Sequence, residues 1–285
     1  MQSYTQQIIR VLEKVTSSGA GQSQIFDDFL TIVHSSLRHL PNHVASSRHT
    51  GQLAEDIPEV AGHWIILQSR YKNRSYFDLF AKAFAILLES AHDEWNDTIG
   101  EVYMEFGHPS KWGGQFFTPF HLAKMMAMMT TADIPNLVHE RIKAACQNDP
   151  LAQAILVAGA MLEGKDTQKW YFEKLIPTVA RNVKHVSIND ASCGSGVMFL
   201  AAASEMPRWM LDWGFIRFYG QDIDQTCVLM AQINMMLHGL NGYSMKCAVA
   251  MTELELSANP ERPIEITDEV HALKQVEIVN FEKRI

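Results

Sequence analysis

Cysteine is scarce in this sequence, and nothing pairs it. Cys146, Cys193, Cys227 and Cys247 are the four among 285 residues, and no two stand in a C-x-x-C spacing. That excludes a disulfide framework and a zinc cluster as organising features, and it makes a reduced, cytoplasmic protein the expectation. Long apolar runs are missing as well. The longest, Leu151 to Leu162, is too short to span a bilayer and is interrupted by Gln153. The opening residues MQSYTQQIIR carry no apolar signal core, so neither a leader nor a membrane anchor is expected.

Basic charge is in deficit. There are 24 Lys and Arg against 32 Asp and Glu, a net charge of −8. Residues 1–100 carry 8 basic and 11 acidic side chains, 101–185 carry 9 and 8, and 186–285 carry 7 and 13. With no polybasic segment, the chain is not built to coat nucleic acid through bulk charge. The twelve histidines form no H-E-x-x-H. His39 and His43 are four apart, but Pro41 stands between them and is expected to interrupt a helix, so no metal site is expected. Low-complexity tracts and internal repeats are absent by inspection.

What is present divides into two halves. Ile25, Phe29, Leu30 and Val33 recur at helical spacing, as do Phe77, Phe80, Ala81, Phe84 and Leu88. Asp27, Asp28 and Asp78 stand near the starts of these runs, where carboxylates favour the helix dipole. The polar stretch 41–58, punctuated by Pro41, Gly51 and Pro58, reads as a loop. Residues 1–110 are therefore expected to be a helical region. Residues 100–114 hold four glycines and Pro109, after which helical runs are expected at 121–130, 151–163 and 168–182. Met125, Met126, Met128 and Met129 read as adaptable core packing.

From 185 onward the pattern alternates. A short apolar strand at Val186 and Ile188 meets a glycine turn and a helix over 197–206. A second strand, 215–219, leads to a helix over 226–238, and a third strand candidate covers 243–250. Trp209 and Trp213 flank the connection between the first helix and the second strand and are expected to cover the sheet. Strand, helix, strand, helix, strand implies α/β architecture with a parallel sheet and crossover helices.

Two features in this half carry chemistry. Asn189-Asp190-Ala191-Ser192-Cys193-Gly194-Ser195-Gly196 follows a strand and opens a helix, so small residues there admit a ligand to the backbone and to helix N-terminal amides. Alone, such a junction is as readily a plain tight turn. The second feature is Asp222, which ends the next strand in Tyr-Gly-Gln-Asp-Ile-Asp, where a carboxylate can accept from both ribose hydroxyls. Together they read as a nucleoside-binding pair. Cys193 reads as a packing residue, since no partner histidine is identifiable. Residues 159–165 match most of a P-loop, but Asp166 stands where Ser or Thr should coordinate magnesium and the preceding residues are helical, so that reading is rejected.

Taken in order, Trp112-Gly113-Gly114-Gln115-Phe116-Phe117-Thr118-Pro119, then Asp-Ala-Ser-Cys-Gly-Ser-Gly, then Gly-Gln-Asp-Ile-Asp, this sequence resembles the S-adenosylmethionine-dependent N6-adenine DNA methyltransferase family, in particular the modification subunits of type I restriction-modification systems. The resemblance covers about residues 95–250. It implies a Rossmann-like methyltransferase sheet over 111–285, left incomplete by this chain, after the helical region of 1–110. It implies that Phe117, Thr118 and Pro119 line the cofactor pocket, that Ser192, Gly194 and Gly196 hold the methionine end with Asp190 at the ammonium, that Asp222 holds the ribose, and that Ile223 packs beside the adenine. DNA is the implied substrate, with a partner subunit supplying recognition.

The family transfers methyl with an (Asn/Asp)-Pro-Pro-aromatic loop that grips a flipped adenine, and this chain has no such tetrapeptide. Two relics offer themselves: Asn259-Pro260, which lacks the second proline and the ring, and Asn280-Phe281, which follows the strand-like 276–279 but has no proline. The alternative is that both are ordinary turn residues. The usual remaining strands and a target-recognition domain are expected to be missing. Three functions stay open: a DNA adenine-N6 methyltransferase or modification subunit, a catalytically impaired binding protein of the same fold that modulates restriction-modification or mobile-element DNA, and a methyltransferase acting on RNA or protein.

Overall fold

A computed structural model describes residues 2–52, 54, 58–107 and 117–246. Ser3 opens the first helix, α1 (Tyr4–Glu13), its hydroxyl accepting from Gln6 N. Then come α2 (Gln22–Thr50), α3 (Pro58–Arg70), α4 (Ser75–Asp93) and α5 (Thr98–Val102), which runs on as a π-helical turn through Gly107. The first apolar stripe read from the sequence is buried here, Ile25, Phe29, Leu30 and Val33 of α2 packing with Ile8 and Leu12 of α1 and Phe80 of α4. Of the second stripe only Phe80 is fully buried, and Ala81 and Leu88 are exposed. Each fully buried aromatic or large aliphatic side chain in that cluster contributes about 1.5–3 kcal/mol. Asp28 is buried among them because Arg70 and the Tyr71 hydroxyl both donate to it, the latter at 2.7 Å.

Pro41 does not end α2. The helix continues to Thr50 and stops at Gly51, whose amide reaches Ser47 O at 3.0 Å. A proline inside a helix deletes one hydrogen bond and crowds the preceding turn, and the intact turns on either side carry the helix through. Residues 41–50 of the expected loop are thus helical, and Pro58 opens α3. His39 and His43 lie on one helix with ring centroids 5.9 Å apart. No group of three or more His, Cys, Asp or Glu suited to a metal ion occurs among the described residues.

The second half begins with α6 (Phe120–Thr131), α7 (Ile134–Gln147) and α8 (Pro150–Gly159). Its methionines are not core. Ala123, Ala127 and Thr131 form the buried stripe of α6, whereas Met125, Met126, Met128 and Met129 are 43–79 % exposed. Small residues let α6 approach its neighbour closely, which turns the methionines outward. The helical run expected over 168–182 is broken into α9 (Lys165–Trp170), a π-helical turn, α10 (Ile176–Val179) and a 3₁₀ turn. Pro177, early in α10, cannot donate to the preceding turn.

Strand β1 (Val186–Asp190) then leads through the glycine turn to α11 (Val197–Ser204), the partner of the small stripe on α6. A short α12 (Arg208–Asp212) precedes β2 (Ile216–Asp222), α13 (Gln225–Leu237) and β3 (Gly242–Lys246). The sheet order is β1-β2-β3. Strands β1 and β2 are parallel, in a register that sets Val186 against Ile216 and Asp190 against Gly220. Trp209 and Trp213 are half-buried against this core, and Trp209 meets Phe215 edge-on with centroids 5.9 Å apart.

Among the described residues two apolar clusters form the core. One gathers β1, β2, α11 and the helices α6 to α8; the other gathers α1, α2, α4 and α5. Helix α13 serves both, giving Ala231 and Met235 to the first and Cys227, Met230 and Ile233 to the second. No helix among the described residues is long and apolar enough to cross a membrane.

Candidate nucleoside-binding site

Parallel pairing of β1 and β2 brings their carboxyl ends together, where open α/β sheets bind ligands. The turn after β1 is built from short local bonds: Ser192 N donates to Asp190 Oδ1 at 3.0 Å and Gly196 N to Cys193 O at 2.8 Å. Gly194 and Gly196 have φ of +53° and +83°, a left-handed backbone that side chains disfavour. A Cβ on Gly196 would also lie 3.3 Å from the Ala231 Cα of α13. These glycines are therefore required by both conformation and packing.

Across the gap, Asp222 accepts from Gly194 N at 2.9 Å through Oδ2 and from Asp224 N at 2.9 Å through Oδ1. The glycine turn and the acidic strand end form one hydrogen-bonded unit. Each carboxylate oxygen has a second lone pair to offer, so Asp222 retains acceptor capacity for paired hydroxyls. An open cavity of about 480 Å³ lies against this unit, lined by Asn189, Asp190, Ala191, Tyr219, Gly220 and Gln221. Ile223, next to Asp222, is 62 % exposed, an apolar surface offered at the site's edge. A second cavity of similar size between α7 and α8 is lined by Ile142, Cys146, Leu156 and Leu175 with a few polar neighbours, and carries no comparable acidic and glycine pair.

The structure brings Asp190, Ser192, Gly194, Gly196, Asp222 and Ile223 together. Phe117 joins them: its ring lies 3.2 Å from where a Gly194 Cβ would stand, and it stacks on Tyr103 with centroids 5.4 Å apart. Thr118 and Pro119 follow at the start of α6, where Pro119 O accepts from Leu122 N and Ala123 N. Residues 112–116, Asn259, Pro260, Asn280 and Phe281 lie outside the described residues.

Burial and neighbouring carboxylates make Cys193 and Cys227 poor nucleophiles. Burial and the nearby Asp222 and Asp190 push the Cys193 thiol up to about 12, and burial with Asp222 and Asp224 raises Cys227 further still. Burial likewise lifts the Tyr103 hydroxyl to about 12, with Asp224, Cys227, Asp27 and Asp222 adding to it. Asp27 is itself raised by burial and by its neighbours Asp28 and Asp224. The site is negative and aromatic, which suits a ligand carrying positive charge.

Sequence reasoning missed one group entirely. Asp97, 4 % exposed, accepts from Gly100 N at 3.0 Å, from Asn234 Nδ2 at 2.8 Å and from the Ser195 hydroxyl. Its signals were an N-cap carboxylate three residues before a glycine, and an asparagine set in the otherwise apolar face of α13.

A glycine turn bonded to the carboxylate that ends the next parallel strand is an arrangement able to take a nucleoside, and the chain is similar to the N6-adenine methyltransferases. Residues 160–270 match the N-6 DNA Methylase family. The methylase subunit of the type I restriction enzyme MjaIX from Methanocaldococcus jannaschii is 35 % identical over 85 residues, which is 28 % of this chain and 15 % of that relative. A solved methyltransferase subunit of a type I restriction-modification system from Streptococcus thermophilus is 14 % identical, covering 88 % of this chain and 59 % of that one, at a TM-score of 0.26. The chain thus covers a small part of the curated relative's length. The resemblance to N6-adenine DNA methyltransferases and type I modification subunits, read from the motifs, is shown by the family match and this relative.

Proposed function

We propose that this protein binds S-adenosylmethionine in the open cavity beside the unit formed by the glycine turn and Asp222, and acts as a DNA adenine-N6 methyltransferase or modification subunit together with a partner that supplies recognition. The observation that carries the reading is the Gly194 N to Asp222 Oδ2 bond, which fuses the two halves of a nucleoside-binding pair beside an open cavity. The residues present fit the cofactor. Asp222 would accept from ribose hydroxyls, Asp190 would face an ammonium, the glycine turn would take the methionine end, and Ile223 would pack on the adenine, with the Phe117–Tyr103 stack, Thr118 and Pro119 at the remaining edge. The bound cofactor supplies an electrophilic methyl group. This chain orients it, keeps the site negative around a cationic ligand and excludes water with Phe117.

In this reading residues 1–110 form a helical support and 111–285 a Rossmann-like methyltransferase domain, working in the reducing cytoplasm, with Cys146, Cys193 and Cys227 free and buried. A net charge of −8 fits weak binding of duplex by the chain alone, tight binding requiring the partner.

A second reading is favoured by one specific absence, the Pro-Pro-aromatic tetrapeptide: the protein binds the cofactor but methylates slowly or not at all, and modulates restriction-modification or mobile-element DNA. Loss of the stacking ring alone removes about 1–3 kcal/mol of base binding. Calorimetric titration with S-adenosylmethionine and with its demethylated product tests the cofactor site. Binding is expected, and Asp222→Ala should weaken it by about 1–3 kcal/mol; no binding by the wild type at millimolar ligand would overturn it. Transfer of tritiated methyl to unmethylated DNA, with and without a candidate partner, separates the two readings. Asn259→Ala and Asn280→Ala then assign any residual activity to one relic or to neither.

A further inference from the structure

Three buried polar side chains, of which only Ser195 belongs to a motif, meet beneath the glycine turn. Asp97, Ser195 and Asn234 are 4 %, 0 % and 2 % exposed and come from three separate places: the start of α5, the middle of Gly194-Ser195-Gly196, and α13. Asn234 Nδ2 donates at 2.8 Å to both Asp97 Oδ1 and Ser195 O, and the Ser195 hydroxyl donates to Asp97 Oδ2. Capping α5 needs only the bond from Gly100 N, at 3.0 Å to Oδ1. The second oxygen and the asparagine are directed at the turn. Gly100 accommodates this arrangement, since a Cβ there would lie 2.1 Å from Asp97 Oδ2.

Ser195 is flanked by the two left-handed glycines, Gly194 and Gly196. Glycine loses more backbone freedom on ordering than any other residue, so a turn of this composition is loose unless something fixes its centre. Here the side chain and the carbonyl of the central residue are both tied to buried partners, while Gly194 N is left facing Asp222. A turn held in its bound shape before the ligand arrives binds more tightly, because less freedom is lost on association.

We propose that Asp97 is the positioning residue of the site: with Asn234 it anchors Ser195 and so holds the glycine turn in its ligand-receptive shape, linking the N-terminal helices to the cofactor cleft. The proposal rests on the cofactor reading for its purpose, but the anchoring itself is measurable without ligand.

The test uses the full chain in two measurements, amide hydrogen exchange across residues 194–197 and calorimetric titration with S-adenosylmethionine. In Asp97→Ala the turn amides should exchange about 10- to 100-fold faster, the scale of lost charged hydrogen bonds, while amides of α1 and α4 keep their wild-type rates. Affinity should fall by a similar factor. Asp97→Asn should recover most of both, because its oxygen accepts from Asn234 and Gly100 and its amide donates to the Ser195 hydroxyl. Should Asp97→Ala fail to fold, Ser195→Ala removes only the hydroxyl and should still loosen the turn several-fold. Wild-type exchange rates at the turn in Ser195→Ala, or an increase spread evenly over α1, α4 and the turn, would overturn the proposal. If the wild type itself binds no S-adenosylmethionine, the cofactor reading falls, and the exchange rates still decide whether Asp97 anchors the turn.

Discussion

Replacing Asp97 by asparagine should erase a pH dependence of stability that the wild type carries. The carboxyl is raised from the ordinary 3.8 to about 6, chiefly by burial, against the lowering effect of its bonds from Ser195, Asn234 and Gly100. Glu101 on α5 adds a raising charge, and the buried Cys227 thiol of α13 stands nearby. A shift of about two units corresponds to about 3 kcal/mol. The sign follows from which state holds the proton more tightly. The folded chain does, so the stabilisation is complete below pH 3.8 and is lost as pH rises through about 6. Asparagine keeps the hydrogen bonds but has no proton to release. Urea unfolding of both proteins, followed by tryptophan fluorescence from about pH 4 to about pH 7.5, should show the wild type falling by about 3 kcal/mol relative to Asp97→Asn. The difference between the proteins is the quantity to measure, because His238 acts in the opposite direction in both and cancels. Parallel stability curves would refute the reasoning and show that the three donors fully offset the burial.

His238 should stay neutral to unusually low pH: burial and the positive Arg208 lower it to about 4, and Trp95 stacks on its ring at 4.8 Å. Its imidazole resonances should not titrate between about pH 5 and pH 8, and stability tied to it should be lost only as pH falls from 6.5 through about 4. Gly196→Ala should cost about 1–2 kcal/mol in thermal or urea unfolding, from its positive φ alone, and should abolish cofactor binding by displacing the turn from α13; unchanged stability would contradict the backbone argument. Tyr71→Phe should cost about 1–3 kcal/mol, because it leaves the buried Asp28 Oδ2 without its 2.7 Å donor, and a neutral effect in urea unfolding would show that Arg70 suffices.

The order of elements from β1 to α13 was legible because strand and helix alternate there at their own periods, and the glycine turn and Asp222 fall at the ends of those elements; the short α12 was read as a plain connection. Helix α2 was misread past Pro41 because proline's local penalty is visible in sequence while the strength of the surrounding turns is not. The methionines of α6 were misplaced for a different reason. Apolar density marks a helix, but only the small stripe of Ala123, Ala127 and Thr131 tells which face is packed. Asp97 shows in the sequence only as a capping carboxylate for Gly100; its other partners, Ser195 and Asn234, lie 98 and 137 residues away, and no local pattern encodes a bond over that distance. Phe117, Asp190, Gly194, Gly196 and Asp222 lie together in the structure, whereas both catalytic relics lie outside the described residues.

Helix α13 has no solvent side to spare, since Cys227, Met230 and Ile233 face the N-terminal helices while Ala231 and Met235 face the sheet. Such a helix couples the fates of its two neighbours. Peeling away the N-terminal bundle would strip one flank of α13 and leave a greasy strip beside the glycine turn. Heating should therefore melt both halves in a single transition, and a fragment beginning near residue 111 should be insoluble or bind the first apolar surface it meets. The amino-terminal helices are then no detachable appendage: inheritance, recombination or engineering must carry them together with the sheet.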